Sequence, residues 1–132
     1  MDDLYVMTDL LLGEGEPMPG GEMTLEEAIA LGKSEAKDKP IRVVRDWIWA
    51  DLDVSETEAK AMQEQGFQPV MVYAHYVMHD SSYKFGTGFW VRTTPLIRFT
   101  PPCIFETANT VYILIGEGKR KATSVNAIMS IF

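Results

Sequence analysis

The stretches VMVYAHYVMH (residues 70–79) and TVYILI (residues 110–115) decide the fold class of this chain. Both are rich in β-branched and aromatic residues, which are typical of strands. A third stretch, FWVRTT (residues 89–94), follows the first one after a polar turn region, and this spacing predicts a hairpin with a longer loop. We therefore expect the second half of the chain, from about Phe67 onward, to form an antiparallel β-sheet or a partly open barrel.

Two helices are predicted in the first half of the chain. Thr24 with Glu27, and Ser55 with Glu58, each have the spacing of a capping box, in which the hydroxyl and the carboxylate satisfy each other's backbone N–H groups. The first helix should end before Pro40, because proline cannot continue it. Together with the sheet, these signals predict one α+β domain over residues 1–132, with two short helices from the N-terminal half packed on the sheet.

Several segments permit more than one interpretation. IRVVRDWIWA (residues 41–50) has strand composition with apolar residues on both faces, so both faces should be partly covered. Residues 4–12 fit a short helix or an edge strand. The glycine-rich residues 116–121 indicate a turn. The tail, residues 123–132, fits a helix or a strand, and the short turn before it favours a strand.

Charge is distributed unevenly along the 132 residues, whose formal net charge is −7. Residues 1–38, called here the acidic segment, carry a net charge of −8, whereas residues 67–132 carry +3. Such a run is usually a solvated face that aids solubility. The alternative is a surface for a protein partner with a basic surface, and the residues expected to contact it are Glu14, Glu16, Glu22, Glu26 and Glu27.

Several chemistries are disfavoured by the residues present. The single cysteine, Cys103, rules out an internal disulfide and any CxxC site. His75 and His79 share a face of the predicted strand, but there they would stand ~13 Å apart, too far to chelate one metal ion together. We expect no metal, no cofactor and no catalytic residue.

Three consecutive cations, Lys119, Arg120 and Lys121, follow the strand of residues 110–115 and are called here the basic run. They lack the spacing of a phosphate-binding loop, and three charges are a small patch on an acidic chain. Nucleic acid is therefore not an expected partner. No apolar run approaches the ~20 residues that cross a bilayer, and the acidic start is unlike a secretory signal, so we expect a cytoplasmic protein without membrane contact.

A polar set on the predicted sheet offers an alternative site. Arg92, Glu106 and Asn109 would lie close together if their strands paired. The ordinary interpretation is an ion pair with local hydrogen bonds to the backbone. The functional interpretation is a pocket for a small molecule or for an enzyme substrate.

Around this set the sequence contains a longer pattern: His79-Asp80-Ser81, Phe85, Gly88, Trp90-Val91-Arg92-Thr93, Phe105-Glu106-Thr107, Asn109-Thr110-Val111-Tyr112, Leu114, Gly116, Gly118 and Arg120-Lys121. With these residues the chain resembles a family of small bacterial and prophage proteins known only as a domain of unknown function. The likeness spans roughly residues 41–121, while the acidic segment looks peculiar to this chain. The resemblance implies no activity, but it implies a gene of bacterial genomes and their phages.

The favoured hypothesis is a non-catalytic protein-binding module. A phage or prophage protein of this kind would act in the host cytoplasm through its acidic surface, as an anti-CRISPR-like inhibitor of a nucleic-acid-binding defence complex. The alternatives are a small-molecule binder or enzyme that uses Arg92, Glu106 and Asn109, and a homodimer formed through an edge of the β-rich body, residues 39–132.

Overall fold

A computed structural model describes the backbone of residues 3–131 and the side chains of residues 8–131. The described residues form four helices and eight strands. In chain order these are α1 (Asp3–Leu12), β1 (Glu16–Met18), α2 (Leu25–Ala36), β2 (Ile41–Asp53), α3 (Glu56–Glu64), β3 (Val70–Asp80), β4 (Val91–Arg92), β5 (Arg98–Thr100), β6 (Ile104–Glu106), β7 (Val111–Ile115), β8 (Gly118–Ser124) and α4 (Val125–Met129).

The long strand β2 lies at the centre of the sheet. Strand β3 runs antiparallel along one edge of β2. Along the other edge, the first half of β2 pairs in parallel with β7, and the second half pairs in parallel with β8. Two consecutive strands of the chain therefore share one edge of a single strand.

The remaining strands extend this arrangement in antiparallel fashion. β7 continues through β6 to β5, β8 pairs with β1, and β3 pairs with β4. The result is a curled, mixed sheet that resembles half of a barrel. The prediction of an α+β fold is confirmed, but the prediction of a purely antiparallel sheet is wrong, because β2 pairs in parallel with strands from the far end of the chain.

Trp47 closes the junction where β7 ends and β8 begins. Its indole Nε1 donates a hydrogen bond to the carbonyl oxygen of Ile115 at 3.2 Å. Its ring lies directly against the backbone of Gly118, and a Cβ atom on Gly20 would approach the ring to 2.9 Å. Glycine is required at position 118 because any side chain there would occupy the space of the indole.

Both faces of β2 are covered. Helix α2 packs on one face through Ala28, Gly32 and Ala36, next to Ile41. The opposite face carries a second, smaller core that includes residues of α1, α4 and the C-terminal half of β2: Leu10, Ile48, Ala50, Leu52, Met71, Tyr73, Ile128 and Ile131. The prediction that both faces of this strand are covered is confirmed.

Both predicted capping boxes are present, at Thr24 with Glu27 and at Ser55 with Glu58. α2 packs on the sheet, whereas α3 has no buried residue and lies on the surface. Two helices were expected, but the described residues contain four, because α1 and α4 are also helical.

The end of the chain differs from the prediction. A turn was expected over residues 116–121, but residues 118–121 belong to strand β8, because its backbone pairs with β2 and β1. Residues 125–129 form a helix rather than a strand, and Ser124 caps it by accepting a hydrogen bond from the Ala127 N–H at 3.0 Å. Phe132, the last residue of the predicted pattern, lies outside the described residues, as do Met1 and Asp2.

Within residues 3–131, no helix has the length and apolar character needed to span a membrane.

The Gly118→Ala substitution should destabilise the protein because the new methyl group would overlap the Trp47 ring, which has backbone and strand on its other sides. We expect the free energy of unfolding to fall by ~1–3 kcal/mol, measured by urea denaturation. Gly86→Ala is the matched control, because its Cβ would find only the Phe89 ring, no closer than 3.8 Å. Equal effects of the two substitutions would contradict the role assigned to this junction.

Candidate functional site

The five glutamates named above, Glu14, Glu16, Glu22, Glu26 and Glu27, all lie exposed. None of them forms a salt bridge with the described residues. Glu16 lies on β1 opposite Arg120 of β8, and Glu27 accepts the backbone N–H of Thr24. That hydrogen bond lowers the pKa of the Glu27 carboxyl below its ordinary value. The set therefore lies on a strand, a loop and the first turn of a helix, with its carboxylates facing solvent.

The basic run is held by contacts within the protein. Lys121 is buried, and its ammonium donates hydrogen bonds to the carbonyl oxygens of Asp9 and Leu10 in the last turn of α1. Burial lowers the pKa of this ammonium, against the opposing charge of Asp9. Arg120 forms two hydrogen bonds with the Asp51 carboxylate, at 2.7 and 3.0 Å. Two of the three cations are thus used to attach α1 and to join β8 to β2.

The residues of the alternative pocket separate into different neighbourhoods. Arg92 donates from Nη1 to the carbonyl oxygens of Met129 and Ile131, at 3.0 and 2.8 Å, and so holds the C-terminal end of α4. Glu106 contacts Lys39 at 2.6 Å and Arg98 at 2.8 Å. Arg92 and Glu106 do not pair, because β4 pairs with β3 whereas β6 lies between β5 and β7.

Glu106 is an ordinary carboxylate in a structural ion pair. The hydrogen bond from Lys39 is the main reason that its pKa is lowered, and the charge of Arg98 adds to the effect. Its side chain therefore stays ionised between two cations.

Asn109 is engaged by its neighbours in the turn before β7. Its Oδ1 accepts hydrogen bonds from the hydroxyls of Thr107 and Thr110, both at 3.1 Å. Asn109 and Arg92 nevertheless line the same cavity, of about 310 Å³, while Glu106 does not. The cavity therefore contains two of the three residues expected for a polar pocket.

At the base of this cavity lies a residue that sequence reasoning missed, Arg42 of β2. Its side chain is only 10% exposed. Its Nη1 donates to the Tyr112 hydroxyl at 2.8 Å, its Nε lies 3.3 Å from an oxygen of Asp80, and its guanidinium carbon lies 4.7 Å from the centre of the Phe85 ring. These four residues, Arg42, Asp80, Phe85 and Tyr112, are called here the Arg42 cluster.

Asp80 is the charged partner of Arg42 and is completely buried. Its carboxylate accepts hydrogen bonds from the Ser82 N–H and hydroxyl and from the Phe85 N–H. Burial acts to raise the pKa of this carboxyl, but those hydrogen bonds and the charge of Arg42 outweigh it, so the pKa lies below the ordinary value. Burial raises the pKa of the Tyr112 hydroxyl, which therefore remains protonated at neutral pH.

One signal in the sequence pointed toward this cluster. Arg42 lies between Ile41 and Val43 in a strand that is apolar on both faces, and a buried arginine requires a partner. The identity of that partner was not visible, since Asp80 and Tyr112 come from β3 and β7 and only the fold brings them together.

A second concave feature, called here the apolar groove, lies between α3, β3 and α4. Its volume is about 550 Å³. Its walls are mainly apolar, with Leu52, Val54, Ala61, Met62, Met71, Pro95, Val125 and Met129 among the lining residues. Such a lining favours burial of an apolar group.

No group of three or more His, Cys, Asp or Glu residues arranged to hold a metal ion occurs among the described residues. Cys103 is buried in the larger of the two cores, which also contains Ala28 of α2 and Trp47 of β2. Burial raises the pKa of its thiol. A raised thiol pKa leaves little of the reactive thiolate, which agrees with a packing role.

Asp80→Asn should lower the free energy of unfolding at pH 7 by ~3–5 kcal/mol, because it leaves the charge of Arg42 buried without its partner. Urea denaturation measures this effect. Asp53→Asn is the matched control, because Asp53 is exposed at the end of β2, and we expect a change within ~0.5 kcal/mol there.

The same pair gives a dependence on pH. The pKa of Asp80 is lower in the folded protein than its ordinary value of 3.8. At pH values between the folded and the unfolded pKa, the folded state therefore binds fewer protons than the unfolded state. The stabilisation that the ionised Asp80 contributes is complete at pH values above its ordinary pKa, and it is lost as the pH falls through the pKa of the folded protein. The stability difference between the native protein and Asp80→Asn should therefore shrink in acid, and a constant difference would contradict this origin.

Lys121→Met should loosen α1, because it removes the hydrogen bonds to the helix carbonyls and the favourable charge at the helix C-terminus. We expect the free energy needed to open α1 locally to fall by ~1–2 kcal/mol. The measurement is faster hydrogen exchange in residues 3–12. Lys119→Met, at an exposed lysine whose Nζ lies 3.4 Å from the Gly13 oxygen, should change this exchange much less. Unchanged exchange in the Lys121 variant would contradict the anchoring role.

Comparison with known proteins identifies one family. The model of the family described as Domain of unknown function (DUF6957) matches residues 19–130. No curated protein and no solved structure matches the chain significantly. The match is longer than the expected likeness over residues 41–121, and it includes α2 and the second half of the acidic segment. Because the family model matches most of the length of the chain, the chain belongs to the DUF6957 family.

Proposed function

We propose that this protein is a non-catalytic binding protein that captures a protein partner through the acidic segment. The observation that carries the proposal is an asymmetry in how charges are used. The five glutamates are exposed and form no salt bridge with the described residues, whereas most cations of the β-rich body contact groups within the protein.

This asymmetry in how charges are used makes the exposed surface of the acidic segment negative. Lys39 and Arg98 contact Glu106, Arg42 contacts Asp80, and Arg120 contacts Asp51. Of these cations, Arg120 also interacts with the charge of Glu16, which lies opposite it across β1 and β8. The others are held by acidic residues of the β-rich body, so the acidic segment, with its net charge of −8, accounts for the negative sign of the chain. A field of one sign steers oppositely charged proteins to a surface and raises the rate of association.

The backbone beneath three of these glutamates belongs to packed helix or strand, which favours binding. Glu26 and Glu27 lie in the first turn of α2, which packs on the sheet, and Glu16 lies on β1, which pairs with β8. Charges on packed elements lose less conformational freedom when a partner binds than charges on free loops do.

The finer parts of the proposal concern the partner and the setting. We propose that the gene belongs to a bacterial genome or a prophage and that the protein acts in the cytoplasm. There it would cover the basic, nucleic-acid-binding surface of a host defence complex, as anti-CRISPR-like inhibitors do. The resemblance to bacterial and prophage proteins and the negative surface support this proposal.

Replacing all five glutamates with glutamine should weaken capture of the partner. The substitution changes the net charge from −7 to −2, and the capping box of α2 is kept because a glutamine side chain can also accept the N-cap backbone N–H. If each charge contributes ~0.5 kcal/mol, we expect binding to weaken about 10- to 100-fold at physiological salt, and to lose most of its salt dependence. The measurement is quantitative capture from bacterial lysate, followed by carboxylate-to-lysine cross-linking and mass spectrometry.

The supporting result is a set of cross-links from these glutamates to lysines of a nucleic-acid-binding protein, together with release of its nucleic acid by the native protein only. A matched control makes the same change in charge outside the acidic segment, by replacing five exposed acidic residues with their amides: Asp46, Asp53, Glu56, Glu64 and Glu117. Equal capture by the native protein and the five-glutamine variant, or equal loss in the control, would overturn the proposal.

A further inference from the structure

We propose that the cavity above Arg42, called here the Arg42 cavity, binds the carboxylate or phosphate group of a small anionic molecule. This site is separate from the acidic segment and does not depend on the proposed protein partner. Four observations carry the inference: the unmet hydrogen-bonding capacity of Arg42, the independent support of Asp80, the composition of the cavity wall, and the size of the cavity.

The guanidinium of Arg42 has more donors than the described residues use. An arginine carries five N–H groups. Arg42 donates one hydrogen bond, from Nη1 to Tyr112, and its fully buried Nε has no hydrogen-bond partner among the described residues. The 3.3 Å approach of Nε to Asp80 is an ion pair that lacks the alignment of a hydrogen bond. Nε itself is enclosed beside Asp80, so a ligand in the cavity would meet the three N–H groups of Nη1 and Nη2 that make no hydrogen bond with the described residues.

Asp80 does not require all of the charge of Arg42. Three hydrogen bonds from Ser82 and Phe85 already meet its carboxylate. The ion pair therefore positions the guanidinium from behind, in the way that a carboxylate orients an arginine toward a ligand, and leaves part of its positive charge for a second anion. A negative ligand would complete the set of acceptors.

The wall of the cavity suits an anion. None of its lining residues is acidic, and Lys84 and Arg92 contribute positive charge beside Arg42. Tyr112 and Asn109 add a hydroxyl and an amide NH2 group that can donate hydrogen bonds, whereas the Thr110 hydroxyl already donates to Asn109. In a chain with a net charge of −7, a concave patch without any carboxylate on its wall is a local reversal of sign. Charge focused in a concavity of this kind concentrates ions of the opposite sign.

The size of the cavity limits the ligand. At about 310 Å³ it lies at the lower end of the range for small-molecule sites, so it fits a small metabolite rather than a polymer. The Phe85 ring forms part of the wall and stacks on the guanidinium. Arginine binds carboxylate and phosphate alike through its planar fork, so the ligand is assigned by this shared oxyanion chemistry.

The test is a titration of the full chain with inorganic phosphate and, in a separate arm, with acetate. Both are followed by NMR of the arginine Nε–H signals, with sodium chloride at the same ionic strength as the reference. We expect a saturable shift of the Arg42 Nε–H signal with at least one probe, and smaller changes at Arg45, Arg98 and Arg120. The probe that saturates at the lower concentration identifies which oxyanion the site prefers.

Two variants separate binding from folding. Lys84→Gln removes an exposed charge of the cavity wall and should weaken binding about 3- to 10-fold without changing the thermal unfolding of the protein. Lys60→Gln makes the same change on α3, away from the cavity, and should leave binding unchanged. Arg42→Lys keeps the positive charge beside Asp80 but loses the fork, so the saturable shifts of the Asn109 and Tyr112 signals should require at least about 10-fold more of the probe.

The inference is overturned if neither probe shifts the Arg42 signal saturably. It is also overturned if all arginines respond equally and sodium chloride reproduces the response, or if Lys60→Gln weakens binding as much as Lys84→Gln. These results leave the five-glutamine experiment unaffected, because that experiment concerns a different surface.

Discussion

The indole of Trp47 lies against the backbone of Gly118 where the two halves of the sheet meet, and the rest of the structure depends on this contact. On one side of it β2 pairs with β7, and on the other side β2 pairs with β8. The hydrogen bond from Trp47 to Ile115 joins the centre of β2 to the end of β7. The junction therefore marks the point along β2 at which its parallel partner changes from β7 to β8.

This arrangement also determines where charge is buried. The first half of β2 lies between β3 and β7, so Arg42 is brought into contact with Asp80 from one neighbour and Tyr112 from the other. The second half lies between β3 and β8, where Asp51 meets Arg120. The cations of the chain are therefore divided into those that connect strands and those on the surface, while the exposed glutamates of the acidic segment lie outside this network.

The parts of the fold that local chemistry specifies were predictable from the sequence. The capping boxes at Thr24 and Ser55 identify the starts of α2 and α3, and the apolar pattern identifies β3 and β7. The pattern did not identify β8, because GKRKATS is polar and becomes a strand only through pairing with β1 and β2. The parallel pairing of β2 was also not predictable from local sequence, because it joins distant parts of the chain: Arg42 and Tyr112, for example, are 70 residues apart. For the candidate sites, exposed glutamates could be named from charge alone, whereas the Arg42 cluster required the register of three strands. Arg92 and Glu106 were placed together incorrectly because the hairpin pattern gave no information on which strand lies between them.

The parallel edge of β2 has a consequence for how the protein forms on the ribosome. β2 and β3 can associate soon after synthesis, because they are neighbours in the chain and pair antiparallel. The other edge of β2 has no strand to pair with until residues 111–124 have been made. α1 is synthesised before the other described elements, yet it is anchored by a lysine 112 residues later. The backbone N–H and C=O groups along this edge of β2 therefore remain unpaired until β7 and β8 have been made, and long-range pairing of this kind is slow and exposes a chain to aggregation. Helix α1 thus leaves the ribosome before the other described elements but is among the last of them to reach its native contacts.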